Sequence, residues 1–165
     1  MIPISLVVPQ KLSAALVQDN ALQKYVDALA ALNNIVVPEI TPAQIVLSSA
    51  SVEIADLNVQ MTYPRVCLYS AVMKNPLRQK FVSFSGDVDV VADVWASDNL
   101  VSKTETSIHF YVEGVTGIIR QKIGDWGDGV FFGGRYGAQL MPPKLGGLGF
   151  VQGARVTFSF QVDRQ

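Results

Sequence analysis

The segment from Gly124 to Gly147, GDWGDGVFFGGRYGAQLMPPKLGG, combines glycines, aromatic side chains and two carboxylates. Three kinds of chemistry use residues of these types. The backbone N–H groups of a glycine-rich loop can cradle a phosphate. Asp125 and Asp128 could together bind a hard cation. The aromatic side chains could instead pack against another protein chain. The elements on either side of the segment distinguish the three interpretations.

Phosphate binding requires a particular order of elements. In dinucleotide-binding and related loops the glycines follow a strand and open a helix, so that the helix N-terminus meets the phosphate. Here a predicted helix precedes the glycines and a predicted strand follows them, and no Gly-Lys-Ser/Thr triplet is present. The segment does not match the fingerprint, and we expect no cofactor.

Metal binding would depend on Asp125 and Asp128. Calcium takes six to eight oxygen ligands, whereas the neighbouring sequence offers only these two carboxylates. Asp128-Gly129 is also typical of a turn, because Asp bonds to its own backbone and Gly adopts positive φ. We therefore predict a turn at Asp128-Gly129 and no metal ion.

Nucleophilic catalysis has few candidates in this chain. His109 is the only histidine and Cys67 the only cysteine. His109 lies beside the apolar stripe of a predicted helix, and Cys67 lies within an apolar strand. A nucleophile requires a base within hydrogen-bond reach, and the sequence pattern brings no such pair together. We expect a protein that is not an enzyme.

The composition favours a chain that is covered by other chains. Its 165 residues fit a single domain, 1–165, and only 16% of them are charged, against about 25% in typical soluble domains. Net charge is −1, so no basic surface for nucleic acid is indicated. The apolar N-terminal run is too short for a signal peptide or a membrane span. We expect a soluble protein made in the cytoplasm.

Two helices are predicted, over residues 11–33 and 102–122. Asp19-Asn20 predicts a break within the first helix, and Asn33-Asn34 its end. Ser102 and Glu105 have the spacing of a capping box. Each helix carries an apolar stripe, formed by Leu22, Tyr25, Val26, Leu29 and Leu32 in the first, and by Ile108, Tyr111, Val112, Val115, Ile118 and Ile119 in the second. Gly114 and Gly117 in the second helix predict close packing against a neighbour.

Strands are predicted mainly between and after these helices. The clearest covers residues 83–98, with Val88, Val90, Ala92, Val94 and Ala96 on a core face. Others are predicted in TYPRVCLYSAV and ARVTFSFQVDRQ, with short ones in QIVLSS (44–49) and LNVQM (57–61). Grouped strands favour an α+β fold, with a mostly antiparallel or mixed sheet, two main helices packed on it, and residues 124–150 as an extended glycine-rich arm.

The second face of the 83–98 strand carries three carboxylates, Asp87, Asp89 and Asp93. One interpretation is that they are solvated strand residues that discourage edge-to-edge aggregation. The other is a negative surface along a passage for DNA, which would repel phosphate and let a duplex slide. The residues alone leave both open.

The order of elements resembles the tail terminator or tail completion proteins of long-tailed bacteriophages. The resemblance covers most of residues 11–163. It rests on the N-terminal helix, on the strands YPRVCLY and FSGDVDVVADVWAS, on the helix SIHFYVEGVTGIIRQ, and on the strands GRYGAQLMP and ARVTFSFQV.

The resemblance implies a virion protein without enzymatic activity that is assembled in the host cytoplasm. Such subunits form a ring, usually of six copies, in the neck at the head-proximal end of the tail tube. The ring joins the tail tube protein to head-completion or stopper proteins and lets DNA pass without sequence-specific binding. Asp87, Asp89 and Asp93 would then face the DNA passage. The glycine-rich arm would reach a neighbouring subunit through its aromatic residues, Trp126, Phe131, Phe132, Tyr136 and Phe150.

Two other functions remain open at this point. The first is another ring of the same particle, such as a head–tail stopper, an adaptor or a tail tube protein. The second is a small ligand-binding domain that uses the glycine-rich loop as a lid. The sequence favours the terminator over the ligand-binding domain because no convergent set of titratable groups is evident.

Overall fold

The structure is a computed structural model that describes residues 2–49, 62–75, 84–146 and 149–164. The helices in these ranges are α1 (Ile4–Val17), α2 (Ala21–Asn33) and α3 (Val101–Arg120). The strands are β1 (Ile45–Val46), β2 (Arg65–Lys74), β3 (Phe84–Asp98), β4 (Gly124–Asp125), β5 (Val130–Leu140), β6 (Lys144–Gly146) and β7 (Gly149–Arg164). The predicted strand at 57–61 lies outside the described residues.

The strands form one curled sheet in the order β1-β2-β3-β7-β5-β4, and β6 pairs with β7. β1 pairs with β2 in parallel, and the other pairs are antiparallel. The long strands β3 and β7 pair along nearly their whole length and form the centre of the sheet. The predicted α+β class, with helices packed on a mixed, mostly antiparallel sheet, is confirmed.

The main core lies between the helices and one face of the sheet. Alternate residues of β3 and β7 point into it because successive side chains of a strand point to opposite faces. From β3 these are Val88, Val90, Ala92, Val94 and Ala96, as predicted, and from β7 Ala154, Val156, Phe158, Phe160 and Val162. We call the opposite side of the sheet the far face.

α1 begins at Ile4, seven residues before the predicted start, and contains Pro9. Proline has no N–H, so the carbonyl four residues earlier loses its helical hydrogen bond. That carbonyl belongs to Ser5, and it accepts a hydrogen bond of 2.7 Å from the Ser70 hydroxyl on β2. The sheet therefore replaces the missing helical bond, which explains why the helix continues through a proline.

The predicted break between the first two helices is confirmed. Asp19 and Asn20 have φ of 53° and 55°, and Asn34 ends α2 with φ of 52°. The predicted stripe on α2 is correct for Leu22 and Val26, which are buried, but wrong for Leu32, which is 81% exposed. The stripe therefore ends one turn earlier than its spacing predicts.

Two glycines bring α3 close to α2, as predicted. A Cβ on Gly117 would lie 2.3 Å from the ring of Tyr25, and one on Gly114 would lie 2.9 Å from Leu22 and Val26. The glycines lower the intrinsic stability of the helix, but they create the space that these side chains occupy. The predicted capping box does not form, because α3 begins at Val101 without a side-chain cap.

Candidate interaction surface

The first half of the glycine-rich segment is a tight hairpin between β4 and β5. Its turn places Asp128 and Gly129 at φ of 55° and 73°, and Val130 N donates to Gly127 O at 3.1 Å. Two successive residues with positive φ match the right-handed twist of the flanking strands. The predicted turn at Asp128-Gly129 is confirmed.

Lys11 from α1 holds this hairpin. Its Nζ lies 2.8 Å from Asp128 Oδ2 and donates to Trp126 O at 2.8 Å. The hydrogen bond and the charge of Lys11 lower the pKa of Asp128. Asp125 Oδ1 accepts from Gly127 N at 2.8 Å. Both carboxylates considered as metal ligands thus have partners within the chain, and the described residues contain no group of three His, Cys, Asp or Glu suited to a metal.

Phe132 and Trp126 belong to the chain's own core rather than to a free arm. Phe132 is fully buried and lies 4.9 Å, between ring centroids, from Phe160. Trp126 is half-buried, packs edge-on against Phe160 at 5.3 Å, and donates from Nε1 to Lys122 O at 2.6 Å. The predicted role of Phe132 as a subunit contact is corrected, because β5 begins at Val130 and turns this ring inward.

The second half of the segment starts with a bulge. Phe132 pairs with Phe160 and Tyr136 with Phe158, so β5 spends three residues, 133–135, opposite the single Ser159. Gly134 has φ of 86°, a value that glycine adopts without strain. β5 then continues to Leu140 and stops before Pro142. The predicted extended arm is therefore largely a strand of the chain's own sheet.

The other predicted interface aromatics remain at least partly accessible. Phe131 is 45% exposed on the far face, and Tyr136 is 38% exposed on the helix side. Tyr136 rests on Phe158, with the Arg120 guanidinium 5.9 Å from its ring centroid. Phe150 is half-buried on β7. Phe131 and Tyr136 thus lie on opposite sides of the sheet, near the same edge.

Two strands of the sheet have an edge that no other described strand covers. β1 pairs only with Val66 and Cys67, so the rest of β2 is uncovered on that side. β4 pairs only with Phe131 and Phe132, so β5 is uncovered from its bulge to Leu140. The two edges lie at opposite ends of the strand order. Both present backbone N–H and C=O groups that a further strand can pair with.

Asp93, in the acidic row of the far face, is fully buried and bound by two side chains. Arg155 donates from Nε and Nη2 to its two oxygens at 2.8 and 2.9 Å, and the Tyr69 hydroxyl donates at 3.0 Å. No local pattern in the sequence indicated this cluster, because Arg155 comes directly opposite Asp93 only in the antiparallel register of β3 with β7. The prediction that Asp93 faces a DNA passage is corrected, because this carboxylate is buried and its charge is neutralised by Arg155.

The other two carboxylates of the row are half-buried. Asp89 Oδ1 accepts from the Ser159 hydroxyl at 2.6 Å, and Asp87 lies opposite Lys74 on one side and Gln161 on the other. The row is therefore not a continuous strip of free negative charge. Asp87 and Asp89 remain its accessible members.

Asp93 raises the pKa values of two neighbouring groups on the far face. Burial, followed by the charge of Asp93, raises the pKa of Tyr69 to about 12. The hydrogen bond with Asp93 raises the pKa of Arg155. Both groups therefore keep their protons at neutral pH, and the cluster acts as a fixed crosslink among β2, β3 and β7.

The candidate nucleophile is buried, whereas the candidate base is exposed. Cys67 is buried, and its burial raises the pKa of its thiol, which keeps it protonated at neutral pH and weakly nucleophilic. His109 is exposed on α3. None of the described helices is long and apolar enough to cross a lipid bilayer.

No protein-family model matches the chain, and no curated protein matches it. Its functional assignment therefore depends on the geometry of its surfaces and on the arrangement of its elements.

Proposed function

We propose that the chain is a structural protein of a tailed-phage virion, most specifically the tail terminator. In this proposal, copies of the chain form a hexameric ring at the head-proximal end of the tail tube. The ring joins the tail tube protein to the head-completion or stopper protein, and DNA passes through it. The order of elements supports this function, and the observation that carries it is a pair of strand edges, at opposite ends of one sheet, that no other described strand covers.

The two edges belong to different strands, and they therefore favour a head-to-tail assembly. Pairing of the β5 edge of one copy with the β2 edge of the next joins two different surfaces. Such head-to-tail contacts repeat from copy to copy and close into a ring when the rotation between copies allows it. Pairing would also satisfy backbone groups that no other described strand pairs with.

Apolar side chains lie along both edges. Val72 and Met73 on β2 are 42% and 49% exposed, and Tyr136 and Leu140 on β5 are 38% and 39% exposed. Apolar and aromatic side chains at the centre of an interface supply most of its binding energy. Because these side chains lie on the two edges, they support pairing of one edge with the other rather than contact through surfaces elsewhere on the chain.

Two of the three predicted carboxylates on the far face still support the proposed DNA passage. Asp87 and Asp89 are the accessible carboxylates, while Asp93 is paired with Arg155. Two carboxylates per copy, repeated around a ring, would still repel the phosphates of a passing duplex. We therefore keep Asp87 and Asp89 as the residues that face the DNA.

The ring is tested by charging each edge separately. We expect rings in negative-stain images of the wild type, and monomers for Val72→Lys and for Leu140→Lys. An equal mixture of the two variants should give heterodimers, because one intact β5 edge can still meet one intact β2 edge. Val36→Lys is the matched control, since Val36 is apolar and 96% exposed but lies on neither edge.

Two outcomes would contradict this assembly. Rings that persist in both edge variants would show that the edges are not the interface. Homodimers of Val72→Lys alone would indicate symmetric β5–β5 pairing instead of a head-to-tail ring. The place in the neck is tested by partners: a terminator should bind the ends of assembled tail tubes, whereas binding to portal–adaptor assemblies instead would indicate a stopper.

A further inference from the structure

The ladder of the sheet fixes the direction in which the two edges can pair within a ring. In one copy, β2 and β5 run in opposite directions, because the pairs β2–β3, β3–β7 and β7–β5 are all antiparallel. Copies of a ring are related by rotation about its axis. Strands joined edge to edge around the ring run along this axis, so the rotation keeps their direction. β5 of one copy therefore meets β2 of the next in antiparallel orientation.

The accessible stretches of the two edges lie at different levels of the sheet, where residues opposite one another along the ladders share a level. β1 covers Val66 and Cys67, and no other described strand lies beside the rest of β2 on that side. On β5, the stretch without a described neighbour runs from the bulge to Leu140. Leu140 lies at the level of Val66. Edges that meet without a shift would therefore place Leu140 against β1.

A shift of two residues removes this conflict. Successive side chains point to opposite faces, so a shift of one residue would set the helix side of one edge against the far face of the other. A shift of four residues carries Tyr136 past Lys74, the last residue of β2. A shift of two residues towards Lys74 keeps Leu140 clear of β1 and Tyr136 within β2, and it leaves β4 in place.

We propose that β5 of one copy pairs with β2 of the next in an antiparallel register that places Tyr136 opposite Met73 and Leu140 opposite Leu68. This register rests on the proposed function, since it applies to the edge-to-edge ring. Ala71, the unpaired residue of the β2 bulge, lies within the paired stretch. Each copy is displaced along the strands by two residues, about 7 Å, relative to its neighbour. A sheet that closes on itself requires such a stagger.

The side chains of the two edges fit one another in this register. On the helix side, the exposed ring of Tyr136 meets the exposed thioether of Met73, and contacts between sulfur and aromatic rings are favourable. On the far face, the exposed Val72 comes opposite Gly137, which has no side chain and has open space around its Cβ position. Without a shift, Tyr136 would face the small polar Ser70 instead.

Disulfide crosslinking tests the register, because two cysteines form a disulfide only when their Cβ atoms lie about 4 Å apart. Met73→Cys/Tyr136→Cys and Val72→Cys/Gly137→Cys probe two successive pairs of the proposed ladder. Successive antiparallel pairs alternate between wide and narrow spacing, so at least one of these variants has the closer geometry. After mild oxidation at a concentration at which rings form, we expect most of its monomer to enter a ladder of covalent multimers on a non-reducing gel.

Two matched double variants represent the other registers. Ser70→Cys/Tyr136→Cys places its cysteines opposite one another without a shift, and Met73→Cys/Ala138→Cys does so with a shift of four residues. We expect both to remain monomeric on the same gel. The oxidised wild type shows the background from Cys67, which is buried. Far-UV circular dichroism identifies the variants that are folded.

The outcomes separate the register from the ring. A ladder from either matched variant, with none from the two proposed pairs, would overturn the register and leave the edge-to-edge ring intact. Rings in negative-stain images of the wild type without a ladder from any variant would refute both the register and the edges as the interface. Absence of rings in the wild type would overturn the proposed ring instead. The variant that forms covalent dimers at high protein concentration then still identifies the register, and absence of dimers from all four variants refutes it.

Discussion

The two halves of the glycine-rich segment, residues 124–132 and 133–140, each contain three glycines but have opposite surroundings. Residues 124–132 form a hairpin that Lys11 binds from α1 and that places Phe132 in the main core. Residues 133–140 follow a bulge, pair with β7 on one side and with no described strand on the other, and are mostly exposed. Glycines and aromatics therefore serve a fixed turn in one half and an accessible edge in the other. Because the glycine content is the same in both halves, contacts from distant elements distinguish the two.

The fixed half also positions the exposed half. The hairpin fixes the start of β5, and Tyr136 is held after the bulge by Phe158 and by Arg120 at the end of α3. The edge that we propose for assembly is thus presented by a folded strand rather than by a mobile arm. A preformed edge loses less conformational entropy on binding than a disordered one.

Glycine substitutions should give the largest difference in the free energy of unfolding between the two halves. A Cβ on Gly129 would lie 1.8 Å from the backbone oxygen of Asp163, and φ there is 73°. We expect Gly129→Ala to lower the free energy of unfolding by about 4 kcal/mol or to prevent folding, because backbone atoms must move and the residue is strained. Gly137→Ala, where no atom lies within 4 Å of the new Cβ, is the matched control. Urea unfolding measures both.

We expect Gly137→Ala to change the free energy of unfolding by less than about 0.5 kcal/mol. An equal loss in both variants would show that the second half is as constrained as the first. Retention of wild-type stability by Gly129→Ala would mean that the hairpin is not packed against β7 as described.

Adjacent phenylalanines provide the second test of the comparison. Phe132→Ala removes a fully buried ring that contacts Phe158 and Phe160, and we expect a loss of about 3–4 kcal/mol. Phe131→Ala removes a ring that is 45% exposed on the other face, and we expect a loss below about 1 kcal/mol. The midpoint of urea unfolding is measured for each. Similar losses would contradict the inward and outward assignment of these neighbours.

The local patterns of the sequence predicted much of the fold correctly. Alternation in residues 83–98 located β3 and its core face, and Asp128-Gly129 located the turn. The predicted helix began seven residues too late. α1 continues through Pro9, and the bond that replaces the missing helical one joins Ser5 to Ser70, 65 positions further along the chain. A proline in a helix can be anticipated only when such a tertiary partner is known.

The candidate surface was less predictable, since its residues meet through pairing over long distances. Arg155 is 62 positions from Asp93 and neutralises it only in the register of β3 with β7. The inward turn of Phe132 follows from β5 starting at Val130, whereas the sequence pattern predicted an extended arm over residues 124–150. Once a strand is located, alternation assigns its faces; the uncertainty lay in where this strand begins.

The ion pair between Lys11 and Asp128 should give the smallest of the three effects, and it adds a pH dependence to the fixed half. The hydrogen bond and charge of Lys11 lower the pKa of Asp128 below its usual 3.8. A carboxyl group whose pKa is lowered by folding stabilises the folded state above its unfolded pKa, and this contribution is lost as pH falls through the folded pKa. The wild type should therefore lose stability below about pH 4. Urea unfolding at about pH 5 and about pH 3 measures the loss.

Asp128→Asn and Lys11→Met should each reduce this pH-dependent loss, because each removes one partner of the pair. The change should be small, since Asp128 is solvent-exposed and exposed pairs are screened, and added salt should reduce it further. The Asp128→Asn/Lys11→Met double variant should show no further reduction beyond either single variant, because the interaction is already absent. An unchanged pH dependence in both single variants would mean that Lys11 holds the hairpin only through its hydrogen bond to the Trp126 carbonyl. In that case the first half is fixed by backbone contacts and by Phe132, and the contrast with the exposed edge is one of packing rather than of charge.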